Sequence, residues 1–256
     1  MLHPIEIKAN IEGGVGQALA ALGDPVPATK RQIWFAEDRG GLQAGGQLKM
    51  LSHGIILRIR IGEGPDDSTA KLRPVDKEQL TKQWSKPFQE PFKYRIEGDW
   101  SGDRHALAAS AQTSHPQGSL AESVGAGRFD QVFTPEQRQF VRDCAHIGVD
   151  INQLVGLGPI ASTQWEDLQI GGVDDVNAER WTVADLDFLE SFPSASRRRR
   201  TSRPRSTGCG PSAPRKTCWP LSPISDCNCP ATLKIRRSGF LPHWSHRTRW
   251  RRTRSR

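Results

Sequence analysis

An α+β fold, mainly antiparallel β with a few short helices, is predicted for residues 1–190 by three features of the sequence. Segment after segment alternates apolar and polar residues with period 2. Gly, Pro and Asp clusters punctuate those segments. Only two stretches carry a helical period.

The first strand is Ile5-Glu6-Ile7-Lys8-Ala9-Asn10-Ile11, which alternates strictly until Gly13-Gly14 breaks it. Val15, Ala18, Leu19 and Leu22 then fall at helical spacing, and Gly23-Asp24-Pro25 ends that short helix. Gln32 to Ala36 forms a second strand, and Ile55 to Ile61 a third after Gly54. A Gly64 to Asp67 turn leads into a fourth strand, Ser68 to Arg73, which Pro74 ends, so strands three and four make a hairpin. Phe92 to Glu97 is the fifth strand, with Asp103 to Ser110 as its hairpin partner. Thr134 is placed to cap a helix, with Pro135 at its first position and Gln137 completing a capping box. Phe140, Val141 and Cys144 give that helix its apolar face, and Gly148 ends it. Strands around Ile160 to Trp165, Ala178 to Val183 and Phe188 to Glu190 complete the set.

Charge divides the chain at the same place as composition does. The whole chain is +8, yet residues 1–190 hold 19 Lys and Arg against 27 Asp and Glu. Residues 191–256 hold 17 basic residues and one acid, Asp226, with 15 Arg, 11 Ser and 8 Pro. That segment has too few aliphatic residues to offset chain entropy and is predicted to be a disordered basic tail. A genuine arm of this kind implies a nucleic-acid partner. The abrupt loss of acids after Glu190 better fits a shift of reading frame in GC-rich coding sequence. Cys227 and Cys229 with His243 and His246 match no common zinc spacing. The body has a single cysteine, Cys144, which fits a reducing compartment and a core role. No stretch approaches the roughly 20 apolar residues of a membrane helix, and charges interrupt the start where a signal peptide is apolar. A cytoplasmic protein without a membrane partner is expected.

The parity of the charges carries the functional reading. Glu6 and Lys8 share one strand face, as do Arg58 and Arg60, Lys71 and Arg73, and Arg95, Glu97 and Asp99. Ile5, Ile7, Leu57, Ile59, Leu72 and Ile96 lie opposite them. In an open sheet the charged face is simply solvated. A barrel closed around these faces instead gathers cations and carboxylates into one lumen. Arg suits phosphate oxygens bidentately and Lys as a point charge. Carboxylates suit Mg²⁺ or Mn²⁺, hard ions that bridge phosphate oxygens. A metal–triphosphate site inside a β-barrel is the reading this pattern supports.

In order, these residues resemble the CYTH domain, the triphosphate tunnel metalloenzyme family. The family's E-x-E-x-K strand is matched by Pro4-Ile5-Glu6-Ile7-Lys8, its L-R-x-R by Leu57-Arg58-Ile59-Arg60, and its K-L-R-P by Lys71-Leu72-Arg73-Pro74. Arg95-Ile96-Glu97-Gly98-Asp99 resembles K-x-E-x-D, Glu179-Arg180-Trp181 a late E-R-W, and Leu189-Glu190 the start of L-E-L-S. The resemblance implies an eight-stranded antiparallel barrel forming a tunnel. It also implies hydrolysis of inorganic, thiamine or nucleoside triphosphates with Mg²⁺ or Mn²⁺. The alternatives are cyclisation of ATP to cyclic AMP and non-catalytic binding of polyphosphate or nucleic acid. Carried over by position, Glu6, Glu97, Asp99 and Glu190 are the metal-side carboxylates. Arg58, Arg60, Lys71, Arg73 and Arg95 hold phosphates, and Lys8 lies at the scissile phosphate.

Two departures bear on these expectations. Pro4 stands where the family has its first glutamate, which removes one carboxylate. After Glu190 the chain runs to Ser191-Phe192-Pro193 and an Arg run, so the barrel is expected to be incomplete at this end with an exposed edge. Gly13 to Gly16, Gly40-Gly41 and Gly45-Gly46 lack the Lys-Ser/Thr of a phosphate-binding loop and are turns. His3, His53, His105, His115 and His146 form no metal-ligand motif.

Overall fold

The structure is a computed structural model that describes residues 3–193 apart from Ala44 and Val149. The predicted basic tail lies outside the described residues from 194 onward, as do its cysteines and histidines.

Nine strands close into one barrel: β1 (Ile5–Glu12), β2 (Thr29–Asp38), β3 (Ile55–Gly62), β4 (Asp66–Leu72), β5 (Lys93–Ser101), β6 (Arg104–His115), β7 (Leu154–Ile170), β8 (Val173–Val183) and β9 (Leu186–Pro193). Their order around the barrel is β1-β5-β6-β4-β3-β2-β7-β8-β9. Among the described residues five short α-helices accompany them: α1 (Val15–Ala21), α2 (Arg39–Gln43), α3 (Lys49–Ser52), α4 (Ala121–Gly125) and α5 (Pro135–Cys144).

Three expectations about the barrel are corrected here. It has nine strands rather than eight, and one pairing is parallel. Residues 5–8 of β1 run parallel to β5, with Glu6 opposite Asp99. Residues 9–12 then pair antiparallel with β9, from Ala9 with Ser191 to Glu12 with Phe188. The barrel is also closed where an exposed edge was expected. Ladder pairing needs backbone groups, which Ser191 and Phe192 supply regardless of their side chains. Pro193 takes the last position of β9, opposite Val176, where a missing N–H costs least. Pro4 likewise precedes β1, and its carbonyl accepts a 2.8 Å hydrogen bond from Gly98 N–H.

The apolar side of the strands faces out and is covered there. Leu57, Ile59, Ala70, Leu72, Ile96, Ala109 and Ala111 form the main core with Trp84, Phe140, Val141 and Cys144. A smaller core sets Val15, Ala18 and Leu19 of α1 on Trp165, Ala178 and Leu189. The predicted capping box of α5 is present, with Thr134 and Gln137 bonding each other's backbone N–H. Gln137 is fully buried and ties α5 to the barrel wall. Its Nε2 donates to Ser68 O at 2.8 Å and Ala111 O at 3.0 Å, and its Oε1 accepts from Ser68 Oγ at 3.0 Å. Cys144 is buried in this core, and burial pushes its thiol up to about 11, as suits an inert packing residue. On most strands the apolar parity packs outside and the polar parity is left to the lumen; β2 departs from this, with Ile33 opposite Arg60 and Phe35 opposite Arg58.

Candidate functional site

Directly opposite residues on neighbouring strands share a face, so the register states what lines the lumen. Arg58 faces Thr69 and Arg60 faces Asp67 across β3 and β4. Lys71 lies opposite Ser110 and Arg95 opposite the same Ser110, which carries the face on through β6 to β5. Glu97 and Asp99 follow Arg95 along β5, and Glu6 lies beside Asp99. On the far wall Glu190 faces Asn10 on β1 and Glu179 on β8. Ile5 and Ile7 point the other way, 50% and 58% exposed on the outer surface.

Ion pairs bind most of these groups to one another. Arg60 Nε donates to Asp67 Oδ2 at 2.7 Å, and Arg31 Nη1 reaches the same oxygen at 3.4 Å. Lys71 Nζ and Arg73 Nη1 each donate to Asp99 Oδ2 at 2.9 Å, and Lys71 also reaches Glu97 at 3.5 Å. Lys8 Nζ stands between Glu6 at 3.4 Å and Glu190 at 3.7 Å. Glu179 is buried and accepts from Ser162 Oγ at 2.5 Å.

These neighbours set the protonation states. Burial pushes the Asp99 carboxyl up, but Lys71, Lys8 and Arg73 outweigh it and hold it below the ordinary carboxylate range. Burial alone would lower the Lys8 ammonium; Glu190, Glu6 and Asp99 overcome that and raise it above the usual lysine value. Glu190 is raised, first by burial and then by Glu179, Glu6 and Asp99, against the pull of Lys8. Burial lowers Arg58, and Arg60 beside it adds to the effect.

Arg58 is the unsatisfied member of this set. Its Nε is buried without a hydrogen-bond partner, while its neighbour Arg60 holds Asp67. A guanidinium stays charged in a protein; Asp67, Glu179 and Glu190 offset part of this charge from a distance, but a buried N–H without a hydrogen-bond partner is still costly. The arrangement therefore presents a cation that an incoming anion would complete.

Among the described residues no three His, Cys, Asp or Glu side chains gather into a formed metal cage. A Mg²⁺-type ion needs only one or two carboxylates, completed by waters and phosphate oxygens. Glu6 and Glu190, with Glu179 across from Glu190, fit that requirement as hard oxygen donors. Glu6 and Glu190 share Lys8 at 3.4 and 3.7 Å, whereas Asp99 is held more closely, at 2.9 Å, by both Lys71 and Arg73.

Three lumenal residues were missed from the sequence. The sequence places Asp67 in the turn before β4, whereas β4 begins at Asp66 and puts Asp67 in step with Thr69 and Lys71. Arg31 lies just ahead of the stretch read as the second strand, which starts at Thr29. In the Glu179-Arg180-Trp181 segment parity sends Glu179 inward, while Arg180 pairs at 2.8 Å with Asp187. The signal available for all three was parity extended beyond the apolar residues.

Neither a family model nor a curated protein matches this chain. Solved structures similar to it include two that overlap most of this chain. One is a candidate adenylate cyclase from Bacillus halodurans, at 14% identity and a TM-score of 0.46, covering 77% of this chain and 83% of that one. The other is a candidate adenylyl cyclase from Hippeastrum with a dominant triphosphatase activity, at 11% identity and a TM-score of 0.44, covering 73% and 78%. No helix among the described residues is long and apolar enough to cross a membrane.

Proposed function

We propose that the lumen binds a triphosphate and hydrolyses its terminal phosphoanhydride bond. The observation that carries this reading is Arg58, a half-buried side chain whose Nε is buried without a hydrogen-bond partner, on the same barrel face as Arg60. The ordered motifs that resemble the CYTH domain support the same chemistry.

Arg58, Arg60, Arg31 and Arg95 hold phosphate oxygens, and Lys71 and Arg73 line the approach. Lys8 is a cation across the neutral range, because its carboxylate neighbours raise it. It therefore positions the terminal phosphoryl group and steadies its charge, and does not accept a proton from water. Water attacks the terminal phosphorus in line, the bond to the bridging oxygen breaks, and inorganic phosphate and a diphosphate leave. Guanidinium groups fixed around the equatorial oxygens favour the transition state because they need no reorganisation. Mg²⁺ or Mn²⁺, held by Glu6 and Glu190 with Glu179 alongside, would supply neutralisation of phosphate charge and a more acidic bound water.

The test is phosphate release from inorganic triphosphate and ATP by the full chain with Mg²⁺ or Mn²⁺. Lys8→Ala is expected to lower turnover by about 10²-fold. Turnover no higher than that of the variant would reject hydrolysis, and cyclic AMP as the product from ATP would replace it with cyclisation.

A further inference from the structure

We infer that Asp67 is a positioning residue, whose carboxylate sets the aim of two guanidinium groups, Arg31 and Arg60, before an anion arrives. The inference rests on the triphosphate reading above and concerns how the phosphate-binding part of that lumen is held in shape.

Asp67 joins three strands. It lies opposite Arg60 of β3 and in step with Thr69 and Lys71 on β4. Its side chain is buried, with Oδ2 accepting from Arg60 Nε at 2.7 Å and from Arg31 Nη1 at 3.4 Å. Its Oδ1 accepts from Thr69 Oγ1 at 3.4 Å. Arg31 comes from β2 and is fastened a second time, since its Nε donates to Glu63 O at 3.1 Å. Glu63 is itself tied to β2: its N–H donates to Lys30 O at 3.0 Å, and its Oε2 accepts from Lys30 N–H at 2.7 Å. Gly64 leaves room for this guanidinium, because a Cβ there would stand 3.2 Å from Arg31 Nη2.

Two features separate this trio from an ordinary ion pair. One carboxylate serves two guanidinium groups, so the trio keeps a net positive charge. Arg60 is also held by Nε, at the back of its fork. A guanidinium is a rigid, planar set of five N–H donors, so anchoring Nε fixes the plane while the Nη nitrogens at its front suit phosphate oxygens. Both arginines are only half-buried. Donors fixed in advance need no reorganisation when an anion binds or charge develops.

Removing the carboxylate then gives a test by sign. A mere counter-charge repels a polyanion, so Asp67→Asn would tighten binding. A positioning residue gives the opposite result, because the lost aim outweighs the lost repulsion. Titration calorimetry of the full chain with inorganic triphosphate, beside kcat and KM for phosphate release with Mg²⁺, reads the difference. Asp67→Asn is expected to bind on the order of tenfold more weakly and to lose kcat by a similar factor. Asp67→Glu keeps the charge, moves the carboxylate by one methylene and is expected to lose affinity in the same direction. A merely structural role would lower the melting temperature and leave the affinity of the folded protein unchanged. Affinity in a folded Asp67→Asn that equals or exceeds the wild type would overturn the inference and leave the triphosphate reading in place. Should Asp67→Asn melt below the assay temperature, unchanged or higher affinity in Asp67→Glu would overturn it. Absence of binding in the wild type would overturn the triphosphate reading and this inference together.

Discussion

Single residues in the lumen trade stability for binding, and Arg58 shows the trade most directly. Its guanidinium is enclosed beside Arg60 with no partner at Nε. Replacing a desolvated charge that lacks hydrogen-bond partners by an apolar group is commonly neutral or stabilising. Arg58→Leu is therefore expected to melt no lower than wild type without ligand; a drop of more than about 2 kcal/mol in stability would show that Arg58 has a structural partner. Asp99 makes the opposite case, because Lys71 and Arg73 both depend on it. Its folded pKa lies below the unfolded value of about 3.9. Its ion pairs thus contribute stability above that pH, and the contribution is lost as pH falls through the folded value. Denaturation at a series of pH values should give Asp99→Asn a lower stability at pH 7 and a shallower decline below about pH 4. Parallel curves for the two proteins would contradict the assigned ion pairs.

At the scale of elements, the barrel wall is held from outside, and α5 is its main buttress. The sequence displayed this helix's start in Thr134, Pro135 and Gln137, because capping is local chemistry. It did not display the second duty of Gln137, whose side chain also reaches Ser68 and Ala111 on β4 and β6. Such contacts join residues 26 and 69 positions apart, which no local pattern encodes. Gln137→Ala leaves Ser68 and Ala111 with lost partners and removes half of the cap. It is expected to cost about 2–4 kcal/mol in urea unfolding. A cost below about 0.5 kcal/mol would show that water replaces the amide. Strand ends were the least legible part for a related reason. β7 runs from Leu154 to Ile170, but Gly156, Gly158 and Pro159 interrupt its alternation, and its pairing with β2 shifts between Ile33 and Phe35. Only Ile160 to Trp165 kept a readable pattern.

For the whole molecule, closure turns alternation into function. The inward parity of Arg58, Arg60, Lys71, Arg73, Arg95, Glu97 and Asp99 was legible, since each lies in a strand with apolar residues between the charges. The manner of closure was not. β1 divides its length between a parallel neighbour and an antiparallel one, and β9 completes the ring with backbone groups of Ser191 that carry no side-chain signature. Closure is what makes Arg58 costly alone, because in an open sheet the same guanidinium would be solvated. The central claim is thus that a triphosphate enters the lumen to complete this charge set. Titration calorimetry of the full chain with inorganic triphosphate, beside an Arg58→Leu/Arg60→Leu variant, tests it most directly. The expected result is saturable binding of one anion per chain that is lost in the variant. Binding that is absent from the wild type, or undiminished in a folded variant, would contradict it.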